Sequence, residues 1–114
     1  MTKTNNSKPT VHIYESNANP THLSEICAGL EEEGLPYAIF KADGDVKLMT
    51  YEAANNSRLR VGIGITTTSA ALQIRNSPIE KPIFHIGLDT DSTHCQCRIL
   101  GTNAARAVKG GAFI

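Results

Sequence analysis

The chain has 114 residues, 40% of them hydrophobic, and its 11 Lys and Arg balance 11 Asp and Glu. That length supports one modest core, and the even balance, with no one-signed block, excludes a nucleic-acid or anionic-membrane footprint built on charge. Three cysteines without framework spacing fit a reducing cytoplasm, and no apolar run approaches the roughly 20 residues that span a bilayer.

Residues 1–9 are polar and are expected to form a flexible N-terminus, leaving 10–114 as a single α/β domain. TVHIYE (10–15) alternates as a strand does. Asn19 then caps a helix with Pro20 at its first position, and Leu23, Ile26, Cys27 and Leu30 draw one apolar stripe along it. Gly34 is expected to end that helix in a left-handed conformation. Tyr37 to Lys41 reads as a second strand, and Asp45 caps a second helix carrying Val46, Met49 and Ala53 on one side. Leu59–Ile65 is a third strand, followed across only TTTS by a fourth, Ala70–Arg75; so short a link predicts an antiparallel pair. Pro78 and Pro82 lead into a fifth strand, Ile83–Gly87. The last helix is expected from Asp91 as cap towards Lys109, with Cys97, Leu100, Gly101, Ala104 and Val108 on one face. The order predicts an α/β/α sandwich around a five-stranded mixed, mostly parallel sheet with one reversed strand.

Several segments invite a chemical reading. VGIGITTTS (61–69) has glycines and hydroxyls suited to an anion, but neither phosphate-loop spacing is present and a strand follows where a helix is required. HCQC (94–97) offers zinc-type ligands without a second cluster, and on a helix Cys95 and Cys97 diverge by about 200°. Cys97 reads as a core residue and Cys95 as incidental. Of the four histidines, His12 and His85 sit in strand patterns while His22 and His94 lie near helix starts, and nothing marks any of them as a catalytic base. DGD (43–45) and DTD (89–91) stand where helix caps are wanted, which accounts for their aspartates.

Glu31, Glu32 and Glu33 have no such account. They precede Gly34 at the negative end of the first helix, where each carboxylate near the last turn costs about 0.3–1 kcal/mol. With the apolar stripe fixed, 100° per residue sends Glu32 to the solvated side and leaves Glu31 and Glu33 on the stripe's two borders, within reach of a partner surface.

The run GLEEEGLPY (29–37) resembles the Gly-Ile-Glu-Glu-Glu-Gly-Ile-Pro-Phe segment in the small subunits of the reactivating factors for coenzyme-B12-dependent diol and glycerol dehydratases. YEAANNSRLRVGIG (51–64), SPIEKPIF (77–84) and GTNAARAVKG (101–110) resemble the same family, in the same order. The chain departs from the last motif at Thr102 and Ala107, and HCQC has no counterpart there.

The resemblance implies a non-catalytic, chaperone-like subunit with a five-stranded α/β/α fold. Its partner would be a large actin-like and Hsp70-like ATPase subunit, in a two-plus-two assembly that carries the ATP or ADP. That assembly frees a stalled dehydratase of damaged cobalamin by subunit exchange, in the cytoplasm or within a bacterial microcompartment. Carried over from the family, Glu31 is the ligand to a Mg²⁺ or Ca²⁺ at the subunit interface. Glu33, Arg106 and Lys109 are the further expected interface residues, the two cations being placed on the outward side of the last helix. Two rival readings stand beside this one: a medium-subunit-like structural module of a dehydratase, and a small nucleotide-binding domain using Gly62, Gly64 and Thr66 to Thr68.

Overall fold

The computed structural model describes residues 9–88 and 94–114. Along the chain run β1 (Val11–Glu15), α1 (Pro20–Glu32), β2 (Tyr37–Lys41), α2 (Val46–Asn56), β3 (Val61–Ile65), β4 (Ser69–Ile74), β5 (Phe84–Gly87) and α3 (His94–Lys109). The expected flexible segment 1–9 lies outside the described residues except for its last, and so does Asp91, the expected cap of α3.

The five strands form one sheet in the order β2-β1-β3-β4-β5. β1 is parallel to β2 and to β3, and β4 is antiparallel to both β3 and β5, so β4 is the single reversed strand. The expected mixed α/β sandwich is what the chain builds. β3 begins at Val61 rather than Leu59 because Arg60 takes a positive φ of 66°, which interrupts the extended backbone.

Alternation along the strands sorts the two faces. Val11 and Ile13 of β1, Val61, Ile63 and Ile65 of β3, and Ala70 and Leu72 of β4 join Ile26 and Leu30 of α1 and Cys97, Leu100 and Ala104 of α3 in one buried cluster. The opposite face of β3 carries Gly62 and Gly64, and α2 lies directly on them. A Cβ on Gly62 would collide with the backbone of Ala53 and Ala54, and one on Gly64 with Thr50 and the backbone of α2. GIG is therefore a flat track for a helix, which explains the glycines without an anion.

The caps form as expected. Asn19 Oδ1 accepts from the Thr21 amide at 2.8 Å, and Asp45 Oδ2 from the amides of Lys47 and Leu48 at 2.9 and 3.4 Å. After α3 the chain turns back, and buried Asn103 holds it by accepting from the Ile114 amide at 2.9 Å. Phe113 then meets Phe84 edge to face, with ring centres 5.2 Å apart.

Candidate functional site

Gly34, at φ 76°, closes α1. Its amide donates to Glu31 O and the Leu35 amide to Leu30 O, both at 3.0 Å, the paired bonds of a left-handed helix stop. This turn sends the chain directly into β2, whose first residue, Tyr37, lies beside Val11 in the parallel register. Six residues after Glu31, Tyr37 thus comes back alongside the helix end.

Two of the three carboxylates meet cations from α3, which packs against α1. Glu32 Oε2 accepts from Arg98 Nη1 at 2.7 Å, and the same guanidinium donates through Nε to Glu25 at 2.9 Å. Glu33 accepts from Lys109 Nζ at 3.1 Å and lies 4.0 Å from Arg106 Nη2. Glu32 is exposed, as the helix count requires, but it is not merely solvated. Arg106 and Lys109 do not stand clear of the molecule on the outward side of α3, as the sequence suggested; they reach across to α1, because the two helices pack on one face of the sheet. Their cations complement the negative end of α1 and offset the dipole misfit.

Glu31 differs from its neighbours. It is exposed, no ion pair of the described residues engages it, and its hydrogen bond is to a neutral donor, the Tyr37 hydroxyl, at 2.5 Å from Oε2. Oε1 has no partner among the described residues. The hydrogen bond to Glu31 raises the Tyr37 pKa far above that of a free phenol, with burial and Cys27 adding to it. Burial raises the Cys27 thiol pKa, the Tyr37 hydrogen bond opposes the shift, and the Glu31 charge adds to it.

Leu23, Cys27, Ala28, Glu31, Tyr37 and Ile39 line a shallow groove of about 360 Å³ between α1 and β2. β2 is the sheet's outermost strand on this side, and its Ile39 and Phe40 are each 43% exposed. A carboxylate with one free oxygen is a hard ligand suited to Mg²⁺ or Ca²⁺. A single such ligand needs others from outside the chain, since no three His, Cys, Asp or Glu side chains gather as a metal cage among the described residues.

Other candidates fare differently. Cys97 is fully buried in the core and Cys95 is exposed, so HCQC does not converge. Burial raises the Cys97 pKa to about 11, with the Glu25 charge adding to the shift. A polar cleft of about 360 Å³ lies beyond β1 and β3, between Ser16, Asn17, Asp45 and Thr66 to Ser69. Its charged wall is the Asp45 carboxylate, which opposes a phosphate, and Gly62 and Gly64 are under α2 rather than in the cleft. Among the described residues no helix is long and apolar enough to cross a membrane.

Sequence reasoning missed Tyr37 and Arg98. Glu25 and Glu32, seven apart on one helix face, were the available signal for a shared cation; the return of Tyr37 depends on the turn geometry and left none.

A family model described as "Dehydratase medium subunit" matches residues 8–113. The chain is 34% identical over 110 residues to the propanediol dehydratase-reactivating factor small subunit of Salmonella typhimurium, covering 96% of this chain and 93% of that one. It is 39% identical over 108 residues to a probable glycerol dehydratase-reactivating factor small subunit of Citrobacter freundii, covering 90% and 91%. Among solved structures it resembles a chain of the diol dehydratase-reactivating factor complexed with ADP and Mg²⁺, with a TM-score of 0.86 at 31% identity over 95% of this chain and 99% of that one. It also resembles a chain of a glycerol dehydratase reactivase, with a TM-score of 0.87 at 30% identity, covering 94% and 97%.

Proposed function

Since the chain belongs to the dehydratase medium subunit family, among the small subunits of dehydratase-reactivating factors, we propose that it is the non-catalytic small subunit of a reactivase for a B12-dependent diol or glycerol dehydratase. It pairs with a large ATPase subunit that binds and hydrolyses the nucleotide, and the assembly releases damaged cobalamin so that intact adenosylcobalamin can enter. The observation that carries this reading is similarity to reactivase small subunits along nearly the whole of both chains, in sequence and in backbone.

Subunit exchange follows from what such a surface must do. It has to hold the large subunit yet let it go when the dehydratase arrives, so a large apolar interface is the wrong solution. A metal shared between chains adds affinity without one. Glu31 is the residue offered for it, because Glu32 and Glu33 are already committed to cations of α3. Glu31 Oε1 would hold the Mg²⁺ or Ca²⁺, whose chemistry is to join oxygen ligands from both subunits. Glu33, Arg106 and Lys109 belong to the same helix-end surface, where their mutual pairing sets its shape.

Co-purification with the large subunit, with and without chelator, tests the reading. Assembly should depend on divalent ions and weaken in Glu31→Gln; equal assembly in all four conditions would remove the metal role. Association with a dehydratase but never with the ATPase subunit would favour the structural-module reading. Saturable micromolar binding of ATP or ADP by this chain alone would contradict the assignment of nucleotide to the partner.

A further inference from the structure

Resting on Glu31 as the proposed ligand, we infer that Tyr37 is a positioning residue: its hydroxyl engages Oε2 and leaves Oε1 as the oxygen without a partner among the described residues, the one offered first to a divalent cation, which favours Mg²⁺ over Ca²⁺. The bond is 2.5 Å long and joins the end of α1 to the first residue of β2. Both ends are anchored. The amides of Gly34 and Leu35 fix the turn between them, and the Val11 amide donates to Pro36 O at 3.0 Å just before Tyr37.

The identity of the donor decides what the carboxylate can do next. Glu32 and Glu33 are held by guanidinium and ammonium groups, whose positive charge would oppose a metal ion. Tyr37 instead presents an uncharged hydroxyl to Oε2. Glu31 is thereby oriented without losing its charge. The groove wall beside it is largely apolar, with Leu23, Ala28 and Ile39.

An untethered glutamate on a helix end must be frozen into one rotamer when it binds, and the tether reduces that entropic cost. It also restricts the mode of ligation. Ca²⁺ commonly takes both oxygens of a carboxylate, whereas Mg²⁺ demands compact octahedral geometry met by one. A carboxylate whose Oε2 already accepts a hydrogen bond offers Oε1 first and suits the second ion better.

The test is a titration of assembly between the full-length chain and its large subunit with Mg²⁺ and, separately, Ca²⁺, comparing wild type, Tyr37→Phe and Glu31→Gln. Tyr37→Phe keeps the ring and deletes only the hydroxyl. It should raise the Mg²⁺ midpoint by about 10-fold, the low end for a partner of a metal ligand because this bond is exposed. The Ca²⁺ midpoint should move less, and saturating Mg²⁺ should restore full assembly. Glu31→Gln should abolish the dependence on either ion. If Glu31→Gln does so while Tyr37→Phe leaves both midpoints in place, or shifts them equally, the role of Tyr37 is overturned and that of Glu31 stands. If Glu31→Gln leaves the metal dependence intact, the underlying assignment of Glu31 falls as well.

Discussion

At the scale of single residues, the end of α1 shows how one backbone conformation sets a site. Gly34 has open space where a Cβ would stand, so the only obstacle to a side chain there is its φ of 76°. Gly34→Ala should therefore cost about 1–2 kcal/mol in denaturant unfolding, with Gly34→Asn recovering part of the loss. This glycine was legible in the sequence, as were the caps Asn19 and Asp45, because each rests on local chemistry. The Tyr37 bond was not, because it depends on how the turn after Gly34 returns the chain. His12 offers a second prediction at this scale. Its ring is half-buried beside Phe40 at 4.9 Å, Nδ1 is buried without a hydrogen-bond partner among the described residues, and burial lowers its pKa. The neutral form is favoured in the fold, so the stability it contributes is present above the ordinary histidine pKa of about 6.5 and is lost as pH falls below it. In His12→Phe the urea midpoint should fall less than in wild type between about pH 7.5 and 5.5; an identical fall would assign the acid sensitivity elsewhere.

At the scale of elements, the two faces of the sheet are held by different means. α2 sits so close to β3 that Gly62 has backbone on top of it, and backbone cannot move aside as a side-chain tip can. Gly62→Ala should cost at least about 1–3 kcal/mol, the range for overpacking. On the other face, Arg98 spans Glu25 and Glu32 between α1 and α3, but its side chain is 38% exposed. Arg98→Met should cost only about 0.2–1 kcal/mol, and less at high salt. Chemical denaturation of the two variants should rank them in that order. The antiparallel β3–β4 pair was readable from the brevity of TTTS, and the helix stripes from their spacing. Which helix lay over the glycines was not readable, because nothing local to VGIGI names α2 as its neighbour. The placing of Arg106 and Lys109 missed for the same reason: helical periodicity orients a side chain about its own axis but does not say which other helix stands there.

At the scale of the whole molecule, the outer surface of α1 and β2 joins three features: a carboxylate without a cation among the described residues, a shallow largely apolar groove, and an edge strand exposing Ile39 and Phe40. The exchange between partners proposed above needs a surface of this moderate kind. The proposal that it completes a reactivase is tested most directly by reactivation itself. A diol or glycerol dehydratase blocked with a cobalamin lacking its adenosyl group is incubated with ATP, Mg²⁺ and free adenosylcobalamin, adding the large subunit alone, this chain alone, or both. The account predicts recovery of dehydratase activity with both, little with either alone, and a loss of recovery in Glu31→Gln that tracks its weakened assembly. Full recovery with the large subunit alone, or none with both subunits assembled, would contradict it.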